Sequence, residues 1–270
     1  MTRISRALPF AVNGLRVLLA DRGMLFVDFF IATGIAFGIQ YLVWTNVYEE
    51  GQEIEGFGLE ELLFYCALTI FFVRLNNSYD LIEGVSQDVQ EGTIEVHLAR
   101  PVDFFLQRFF AYAGGGLLYL APIVVLTALL WMTKPPTITG ASLPTGAYLP
   151  LVLALVGLSL VLSFSVGILL GLCSFWLVRD DLILSFLTTF TAFLGGAIIP
   201  AKFWPEFIRP VMEYNPFQYF IAAPAKLIVT GDIGAGLVSL CFSVGYCAVF
   251  LLIIRAVWPR AIEKYLGAGG

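Results

Sequence analysis

The residues best suited to polar chemistry lie in one charged stretch, EGTIEVHLARP, which runs from Glu91 to Pro101. Four of its side chains are charged or titratable: Glu91, Glu95, His97 and Arg100. Side chains of both signs at this density can form charge-assisted hydrogen bonds with complementary charges on another protein. His97 is the only histidine in the chain, which excludes a metal site built from several histidines. The stretch therefore favours a contact surface over a catalytic centre.

A second polar set lies where the sequence predicts membrane-spanning helices. The apolar run Leu62–Val73 has twelve residues, and a helix of that length reaches about 18 Å, short of the roughly 30 Å of a bilayer core. Polar groups inside a bilayer usually face a cavity or a partner. Four residues are predicted to line the inner mouth of a pathway, with Asp28 as a partner for Arg74: Asp28, Arg74, Asn76 and Asn77. Alternatively, Arg74 extends to the interface and Asp28 lies at headgroup depth.

No arrangement of residues in the sequence resembles a catalytic centre or a metal site. The cysteines lie in apolar runs without a C-x-x-C pair and are interpreted as small buried hydrophobic residues: Cys66, Cys173, Cys241 and Cys247. The sequence has no G-x-x-x-x-G-K-[ST] phosphate loop, and GDIGAG at Gly231–Gly236 has no following lysine. We therefore expect no catalytic residue, no metal and no ATP hydrolysis in this chain. A membrane-embedded enzyme is disfavoured for the same reason.

The composition places these residues in a membrane protein. Of 270 residues, 59% are hydrophobic and 13% are charged, whereas soluble domains have roughly 45–50% and about 25%. A helix needs about 20 apolar residues to cross a bilayer. The sequence therefore predicts an all-α integral membrane protein with one transmembrane domain, 1–270, and six spans: Met24–Asn46, Leu59–Tyr79, Phe104–Met132, Ala147–Leu177, Leu182–Pro200 and Ala235–Trp258.

The distribution of positive charge orients the predicted spans. With the N-terminus in the cytoplasm, eleven Lys and Arg side chains fall on the cytoplasmic side and four on the other side. Membrane proteins carry such an excess in their cytoplasmic loops. We therefore expect a multi-pass protein of the cell membrane, inner or plasma, with both termini in the cytoplasm. No basic patch indicates a nucleic-acid partner.

The segment 1–23, ahead of the first span, is predicted to form an amphipathic helix in the membrane interface. Its apolar residues fall within one arc of a helical wheel: Ile4, Leu8, Val12, Leu15 and Leu19. Arg3, Arg6 and Arg16 face away from that arc. The segment is interpreted either as a basic anchor that sets topology or as part of a docking surface for a cytoplasmic partner.

The charged stretch lies within a loop, 80–103, that the charge distribution places in the cytoplasm. Gly92 interrupts a helix, and Pro101 either stops one or starts the next. The residues between them are predicted to form a short helix of about two turns. An ordinary solvated loop is the alternative.

The segment 200–231 contains five prolines and cannot form one continuous spanning helix. It is nevertheless too apolar for a free loop. Two short helices that enter the outer leaflet and return satisfy both facts, provided that protein covers their backbone ends. A surface cap without a gating role is the alternative. The residues assigned to this cap are Phe203, Trp204, Pro205, Asn215, Pro216 and Phe217.

Together these features resemble the type-2 ABC exporter permeases, the membrane subunits of ATP-binding-cassette transporters. The likeness rests on E-G-T-I-E-x-x-L-A-R-P after the second span, on the amphipathic segment before the first span, and on YNPFQYF, Tyr214–Phe220. In that family the first cytoplasmic loop carries a coupling helix that fits a groove on the ATPase subunit. The resemblance implies this role for Glu91, Gly92, Glu95, His97, Arg100 and Pro101, with Gly92 and Pro101 at the helix ends.

The resemblance also implies partners and an activity. A separate ABC ATPase subunit would bind ATP and Mg, and a second permease, identical or homologous, would pair with this chain among the membrane lipids. The expected activity is export of a lipid, a lipid-linked glycan or an amphipathic compound, with re-entrant helices capping the pathway from outside. A channel or a secondary transporter not driven by ATP is the alternative. Such a protein would show paired discontinuous spans or several buried charges.

Overall fold

The computed structural model describes residues 3–20, 22–49, 52–54, 56–133, 138–139, 145–177 and 181–267. Over these residues the chain is almost entirely helical, and the sheet in this part consists of one short hairpin, β1 (Glu53–Ile54) with β2 (Phe57–Gly58). The predicted all-α class is confirmed. The helices are α1 (Arg3–Ala20), α2 (Arg22–Phe26), α3 (Thr33–Val47), α4 (Leu59–Leu75), α5 (Tyr79–Gln90), α6 (Ile94–Leu98), α7 (Phe104–Gly116), α8 (Leu120–Thr133), α9 (Tyr148–Leu172), α10 (Asp181–Leu194), α11 (Arg209–Tyr214), α12 (Pro216–Thr230) and α13 (Ile233–Gly267).

Several helices run together through short turns of other helical types. A π-helical turn, Val27–Ala32, joins α2 to α3, and a 3₁₀ turn, Leu117–Tyr119, joins α7 to α8. Two further 3₁₀ turns, Thr145–Ala147 and Cys173–Phe175, flank α9, and a third, Ala201–Phe203, follows α10. The first two turns continue the helical path of their neighbours, whereas Ala201–Phe203 is separated from α10 by the non-helical residues 195–200.

Within the described residues, four helical segments are long and apolar enough to cross a membrane: Val27–Val47, Phe104–Thr133, Tyr148–Phe175 and Ile233–Gly267. They coincide with the first, third, fourth and sixth predicted spans. The second and fifth predicted spans are helices of 17 and 14 residues, α4 and α10. Their lengths, about 26 Å and about 21 Å, fall short of the roughly 30 Å of a bilayer core.

The two short helices end earlier than the sequence pattern predicts. Helix α4 stops at Leu75, because the side chain of Asn76 donates to the carbonyl oxygens of Phe72 and Phe220, at 3.0 and 2.8 Å, as the chain turns away. Helix α10 stops at Leu194, before Gly196, whose φ of 73° is left-handed. Both ends are therefore set by local polar or glycine chemistry inside an apolar run.

Helix α1 packs along α7 at very short range. A Cβ atom on Gly14 would collide with the carbonyl oxygen of Ala111, and one on Gly114 would collide with that of Ala11. Small residues on both helices allow this approach. The predicted apolar arc is not on the packed face, since Leu8 is 57% exposed. Helix α1 thus presents its apolar arc outward, as an interfacial helix does.

The buried core has two parts. The larger part surrounds α4, α9 and α12, and its fully buried side chains include Leu62, Tyr65, Phe72, Leu155, Leu162 and Phe220. The smaller part lies beneath α6 and draws on α5, α6, α7, α9 and α13, with members that include Val85, Ile94, Phe104, Ile168, Ile254 and Tyr265. Helix α13 has 35 residues, and its length of about 52 Å carries it from the larger core, at Ile233, to the smaller core, at Tyr265.

Candidate functional site

The charged stretch forms a short helix, as predicted. Gly92 has a φ of 74°, so it separates the end of α5 from the turn that starts α6. Helix α6 covers five residues, Ile94–Leu98, and is shorter than the predicted two turns because the chain already bends at Ala99 ahead of Pro101. Ile94 is fully buried and anchors the helix on the smaller core.

The outer face of α6 combines charge with apolar surface. Val96 is 58% exposed and Leu98 is 44% exposed, so the helix does not bury its apolar residues on its own chain. Glu91, Glu95 and Arg100 are exposed beside them. We call these residues the α6 surface: Glu91, Glu95, Val96, Leu98 and Arg100. Apolar residues rimmed by charges of both signs are characteristic of protein contact surfaces.

A buried ion pair fixes the inner side of α6. Asp88, from α5, pairs with Arg108, from α7, and accepts a hydrogen bond from Thr93 at 3.1 Å through Oδ1. The guanidinium of Arg108 also lies 5.4 Å from the centroid of the Phe104 ring. Because Thr93 immediately precedes α6, the pair ties this helix to both of its neighbours. Sequence reasoning did not single out Asp88 or Arg108.

His97 faces the same ion pair from α6. Its Nε2 lies 3.5 Å from Oδ2 of Asp88, and Gln107 donates to its backbone carbonyl at 3.0 Å. Burial, and then the charge of Arg100, lower the pKa of His97. The imidazole is therefore neutral at pH 7, and Arg108 supplies the positive charge that balances Asp88. His97 faces inward and is less accessible to a partner than the other predicted contact residues.

The last helix reaches the same loop. The hydroxyl of Tyr265, near the end of α13, donates to the carbonyl oxygen of Gly92 at 3.2 Å. Tyr265 also belongs to the smaller core, with Ile94. The spacing between these residues is 173 positions, and no local sequence pattern indicates a contact over that distance. Helix α6 is thus attached to α5, α7 and α13 together.

The N-terminal helix lies beside this assembly. The guanidinium of Arg100 stands over the ring of Phe10, 5.8 Å from its centroid. A cleft of about 560 Å³ opens there, lined by Arg6, Arg100 and Trp258 among others. The basic segment predicted as an anchor or docking element therefore borders the α6 surface.

The predicted polar residues of the membrane region separate into two groups. Asp28, in the π-helical turn, forms an ion pair with Arg74, and Tyr119 donates to Asp28 Oδ2 at 2.8 Å. The suggested partnership of Asp28 and Arg74 is therefore present. Their side chains are 23% and 26% exposed, so the pair lies at the edge of the helix bundle. Its assignment to a pathway stays a prediction.

Asn76 and Asn77 have different surroundings. Asn76 is 3% exposed, and its Oδ1 accepts from Ser163 at 3.0 Å. Ser163 in turn shares a 2.6 Å hydrogen bond with Tyr112. Asn76 therefore links α4, α9 and α12, and through Ser163 it also reaches α7. Asn77 is exposed, and its side chain accepts from the backbone N–H of Tyr79 at the start of α5.

The segment 200–231, which we call the cap segment, contains two helices, α11 and α12, as predicted, and Asn215 separates them. Their entry into the outer leaflet stays a prediction. Asn215 is the N-cap of α12, where its Oδ1 accepts from Gln218 N at 3.0 Å and Pro216 takes the first helical position. Its Nδ2 lies within hydrogen-bond distance of the carbonyl oxygens of Leu194 and Met212, at 3.0 and 2.8 Å. One asparagine thus joins the ends of α10, α11 and α12.

Aromatic rings and backbone hydrogen bonds hold the cap segment against the rest of the chain. Phe203 packs edge-on against Trp44, with ring centroids 5.4 Å apart, and Phe217 is buried. Trp204 is partly buried beside Phe203, and Pro205, which follows, is exposed. The predicted cap residues therefore lie together at one end of the bundle.

Two contacts from the spans fix the turn ahead of the cap segment. Tyr65 donates to the carbonyl oxygen of Gly196 at 2.7 Å. Gln40 donates to the carbonyl oxygens of Ala197 and Ile198 at 3.3 and 3.2 Å. Both donors come from helices of the membrane region, α4 and α3. The backbone between α10 and the cap segment is therefore satisfied by protein, as a non-helical segment in a membrane requires.

This arrangement defines a polytopic membrane protein with a charged loop helix tied to its spans and a helical cap at the other end. The family model described as ABC-2 family transporter protein matches residues 35–269. The chain therefore belongs to the ABC-2 transporter family of membrane proteins, and the resemblance noted in the sequence is confirmed. No curated protein matches the chain.

Membership defines the coarse role of the chain. It is the membrane permease component of an ABC transporter. Such a component carries out transport and is not itself a catalytic domain. Permeases of this family normally work with an ATPase subunit. In the described part of the chain no group of three or more His, Cys, Asp or Glu side chains could hold a metal ion. The sites of interest are therefore contact surfaces and cavities.

Proposed function

We propose that this chain is the membrane subunit of an ATP-driven exporter, and that a separate ABC ATPase subunit docks on the α6 surface. The ATPase subunit binds ATP and Mg. A second permease, identical or homologous, completes the membrane part. The transported compound is a lipid, a lipid-linked glycan or an amphipathic molecule, and the cell membrane is the location.

The observation that carries the proposal is the contrast between the two sides of α6. Its outer side leaves Val96, Leu98 and three charged residues uncovered. Its inner side is attached to α5 and α7 through the Asp88–Arg108 pair and to α13 through Tyr265. A force applied to the outer side is thus passed to helices that enter the membrane.

The proposed mechanism follows from that attachment. ATP binding brings two ATPase subunits together and displaces α6, and the attached helices α7 and α13 move with it. ATP shifts the permease between states because it binds one arrangement of the complex more tightly than the other. The binding free energy of ATP is in this way converted into a change of helix packing.

The proposed topology has six spans with both termini in the cytoplasm. Helices α4 and α10 complete the count, although each is shorter than a bilayer core. Helix α4 is supported at both ends by protein, through Tyr65 to the turn before the cap segment and through Asn76 to α9 and α12. A short span that is covered by protein at its ends leaves no backbone group exposed to lipid. The cap segment then lies on the outer side.

The test is a double charge reversal on the α6 surface, Glu95→Lys with Arg100→Glu. We expect the variant to fold and reach the membrane but to lose ATP-dependent transport, because the ATPase subunit no longer docks in register. The protein is tagged in its native host and extracted in mild detergent, and the co-purified subunits are identified by mass spectrometry. Transport in inverted vesicles is measured in parallel.

The matched control reverses two exposed charges elsewhere on the same side, Arg260→Glu with Glu263→Lys on α13. This control is expected to retain both the ATPase subunit and transport. Wild-type transport by the Glu95 and Arg100 variant would contradict the docking assignment. Purification of the wild-type chain without any ATPase, with transport that needs no ATP, would instead favour a channel or a secondary transporter.

A further inference from the structure

A cavity of about 220 Å³ lies between the cap segment, α4 and α13. The residues that give it chemical character are Lys202, Glu213, Gln218, Lys226, Tyr65 and Tyr219. They come from four elements, since Lys202 lies in the 3₁₀ turn Ala201–Phe203, Glu213 in α11, Tyr65 in α4 and the others in α12. None of these residues belongs to the α6 surface or to the Asp28–Arg74 pair.

The charged groups of the cavity are close together but are not ion-paired. The charges of Lys202 and Glu213 both act on the ammonium group of Lys226. None of the salt bridges in the described part of the chain involves Lys202, Glu213 or Lys226. The carboxylate of Asp232 also acts on Lys226, so two carboxylates balance the two lysines around the cavity. Ammonium and carboxylate groups that lie near one cavity without a direct ion pair favour a ligand that carries both an anionic group and a hydrogen-bond donor.

The hydrogen-bond acceptors near the cavity set a second requirement for the ligand. The side-chain oxygen Oε1 of Gln218 is buried and has no hydrogen-bond partner. An added Cβ on Gly196 would lie 2.7 Å from this oxygen, so Oε1 faces the turn before the cap segment and is not accessible to a ligand in the cavity. The carboxylate of Glu213, which lines the cavity, is the acceptor available to a donor group of the ligand. The cavity therefore fits a ligand that carries a donor group next to its anionic group.

The size and position of the cavity limit the ligand further. About 220 Å³ accommodates a compact polar group but no long chain. Two residues of its lining, Tyr214 and Val238, are 53% and 56% exposed, so the cavity opens at the surface of the helix bundle. An acyl chain attached to the bound group can therefore leave through this opening and lie along α13.

We propose that this cavity binds a phosphate ester that carries an ammonium or hydroxyl group, the chemistry of a phospholipid headgroup. The lysines Lys202 and Lys226 hold the phosphate, and Glu213 accepts from the donor group. The source is either the headgroup of a membrane lipid or a free phosphate ester. Binding at this cavity goes beyond the proposed transport function, because it needs neither the ATPase subunit nor ATP.

The experiment measures binding to the full chain, purified in mild detergent with the subunits that accompany it and stripped of endogenous lipid. Three probes are titrated by calorimetry: dihexanoyl-phosphatidylethanolamine, free phosphorylethanolamine and inorganic phosphate. The test variant is Lys202→Gln with Lys226→Gln. The control is Lys264→Gln, an exposed lysine at the far end of α13. We expect the test variant to bind the phosphatidylethanolamine probe at least about tenfold more weakly than the control.

Two further variants separate the roles of the lining residues. Lys202→Arg with Lys226→Arg keeps both charges and is expected to retain binding, which distinguishes lost charge from a damaged fold. Glu213→Gln removes the carboxylate and is expected to weaken binding of both ethanolamine probes while leaving inorganic phosphate unaffected. Melting temperatures of all variants are measured alongside.

The probes identify the source of the ligand. Tighter binding of the phosphatidylethanolamine probe than of phosphorylethanolamine supports a membrane lipid, because the acyl chains then contribute. Equal binding of these two probes supports a free phosphate ester. Wild-type affinity in the Lys202 and Lys226 double Gln variant, or no binding of any of the three probes to the wild-type chain, would overturn the proposal.

Discussion

The two ends of the molecule use buried charge in opposite ways. At α6, Asp88 and Arg108 are paired with each other beneath an exposed surface. At the cap segment, Lys202, Glu213 and Lys226 surround a cavity, and no salt bridge in the described part of the chain includes them. A charge paired within the chain holds two elements together, whereas a charge left unpaired is available to a ligand. The first arrangement suits transmission of movement, and the second suits recognition.

The backbone is also held differently at the two ends. At α6, ionic and aromatic contacts between side chains fix a five-residue helix that has few backbone hydrogen bonds of its own. At the cap segment, side chains bond directly to backbone carbonyl oxygens, as Asn215, Tyr65 and Gln40 do. Mutations that remove a charge should therefore matter most near α6, and mutations that disturb backbone geometry should matter most near the cap segment.

The largest effect is expected from Asp88→Ala. This change leaves Arg108 largely buried without its partner, and breaking a buried pair in this way costs about 3 kcal/mol of the free energy of unfolding. Denaturant unfolding in mixed micelles, followed by tryptophan fluorescence, measures the loss. Asp80→Ala, at an exposed position of the same helix, is the control and should change stability little.

A double variant decides whether the stability lost in Asp88→Ala comes from the broken ion pair or from the missing side chain. Asp88→Leu with Arg108→Met replaces the pair with apolar side chains and should recover most of the stability. Equal losses in the single and double variants would show that charge pairing does not hold α6 in place, and the contrast between the two ends would fail.

A smaller effect is expected from Gly196→Ala at the turn before the cap segment. Gly196 has a φ of 73°, and an added Cβ would lie 2.7 Å from Gln218 Oε1. The left-handed backbone and the close contact together should cost about 2 kcal/mol. Gly56→Ala is the matched control, because Gly56 has a φ of 80° and nothing within 4 Å of an added Cβ. It should cost only about 1 kcal/mol.

The difference in melting temperature between these two alanine variants isolates the contact from the backbone strain. If both variants lose the same stability, Gln218 moves aside freely, and the turn is less rigid than the hydrogen bond from Tyr65 indicates. Such a result would contradict the view that backbone geometry is what fixes the cap segment.

The next effect concerns Asn215, which joins three helices. Asn215→Ala removes the N-cap of α12 together with the amide that reaches the ends of α10 and α11, and should cost about 1.5 kcal/mol. Asn215→Asp retains the capping oxygen and should cost less. Asn46→Ala serves as the control, because Asn46 is exposed and its amide donates only to Leu42 in its own helix. A stability loss for Asn215→Ala no larger than that of the control would contradict the structural role.

The sequence was sufficient to predict the elements that depend on local chemistry. Gly92 and Pro101 indicate the limits of a short helix, because glycine and proline act over a few residues. The start of α12 at Asn215 and Pro216 follows equally local rules, although it was not among the predicted helix ends. Of the six spans predicted from apolar runs, four coincide with helices that are long enough to cross a membrane. The pairing of Asp28 with Arg74 could also be predicted from the sequence, because charged residues in apolar surroundings are usually paired with an opposite charge.

The contacts between distant segments could not be predicted from the sequence. Tyr265 meets Gly92 across 173 positions, and Ser163 meets Asn76 across 87 positions. Tyrosine and serine are common in membrane helices, so their types carry no signal of these contacts. Arg108 did offer a signal, because an arginine just inside a predicted span needs a partner, and Asp88 lies in the preceding loop. The cavity depends on the packing of four elements and has no sequence signature.

The smallest effect is a pH dependence that His97 gives to the α6 region. Burial and Arg100 lower the pKa of His97 in the folded protein, below the value of about 6.5 that it has in the unfolded chain. Between these two values the unfolded chain binds more protons, so the stability rises with pH in this window. Acidification through the window should therefore lower the melting temperature of the wild-type protein slightly, and His97→Gln should remove this component of the pH dependence. Melting curves at about pH 7.5, 6.5 and 5.5 measure the difference. The opposite result is a larger acid-induced drop in melting temperature for the variant than for the wild-type protein. It would mean that protonated His97 stabilises the fold by pairing with Asp88. The charge of Asp88 would then be balanced by His97 as well as by Arg108.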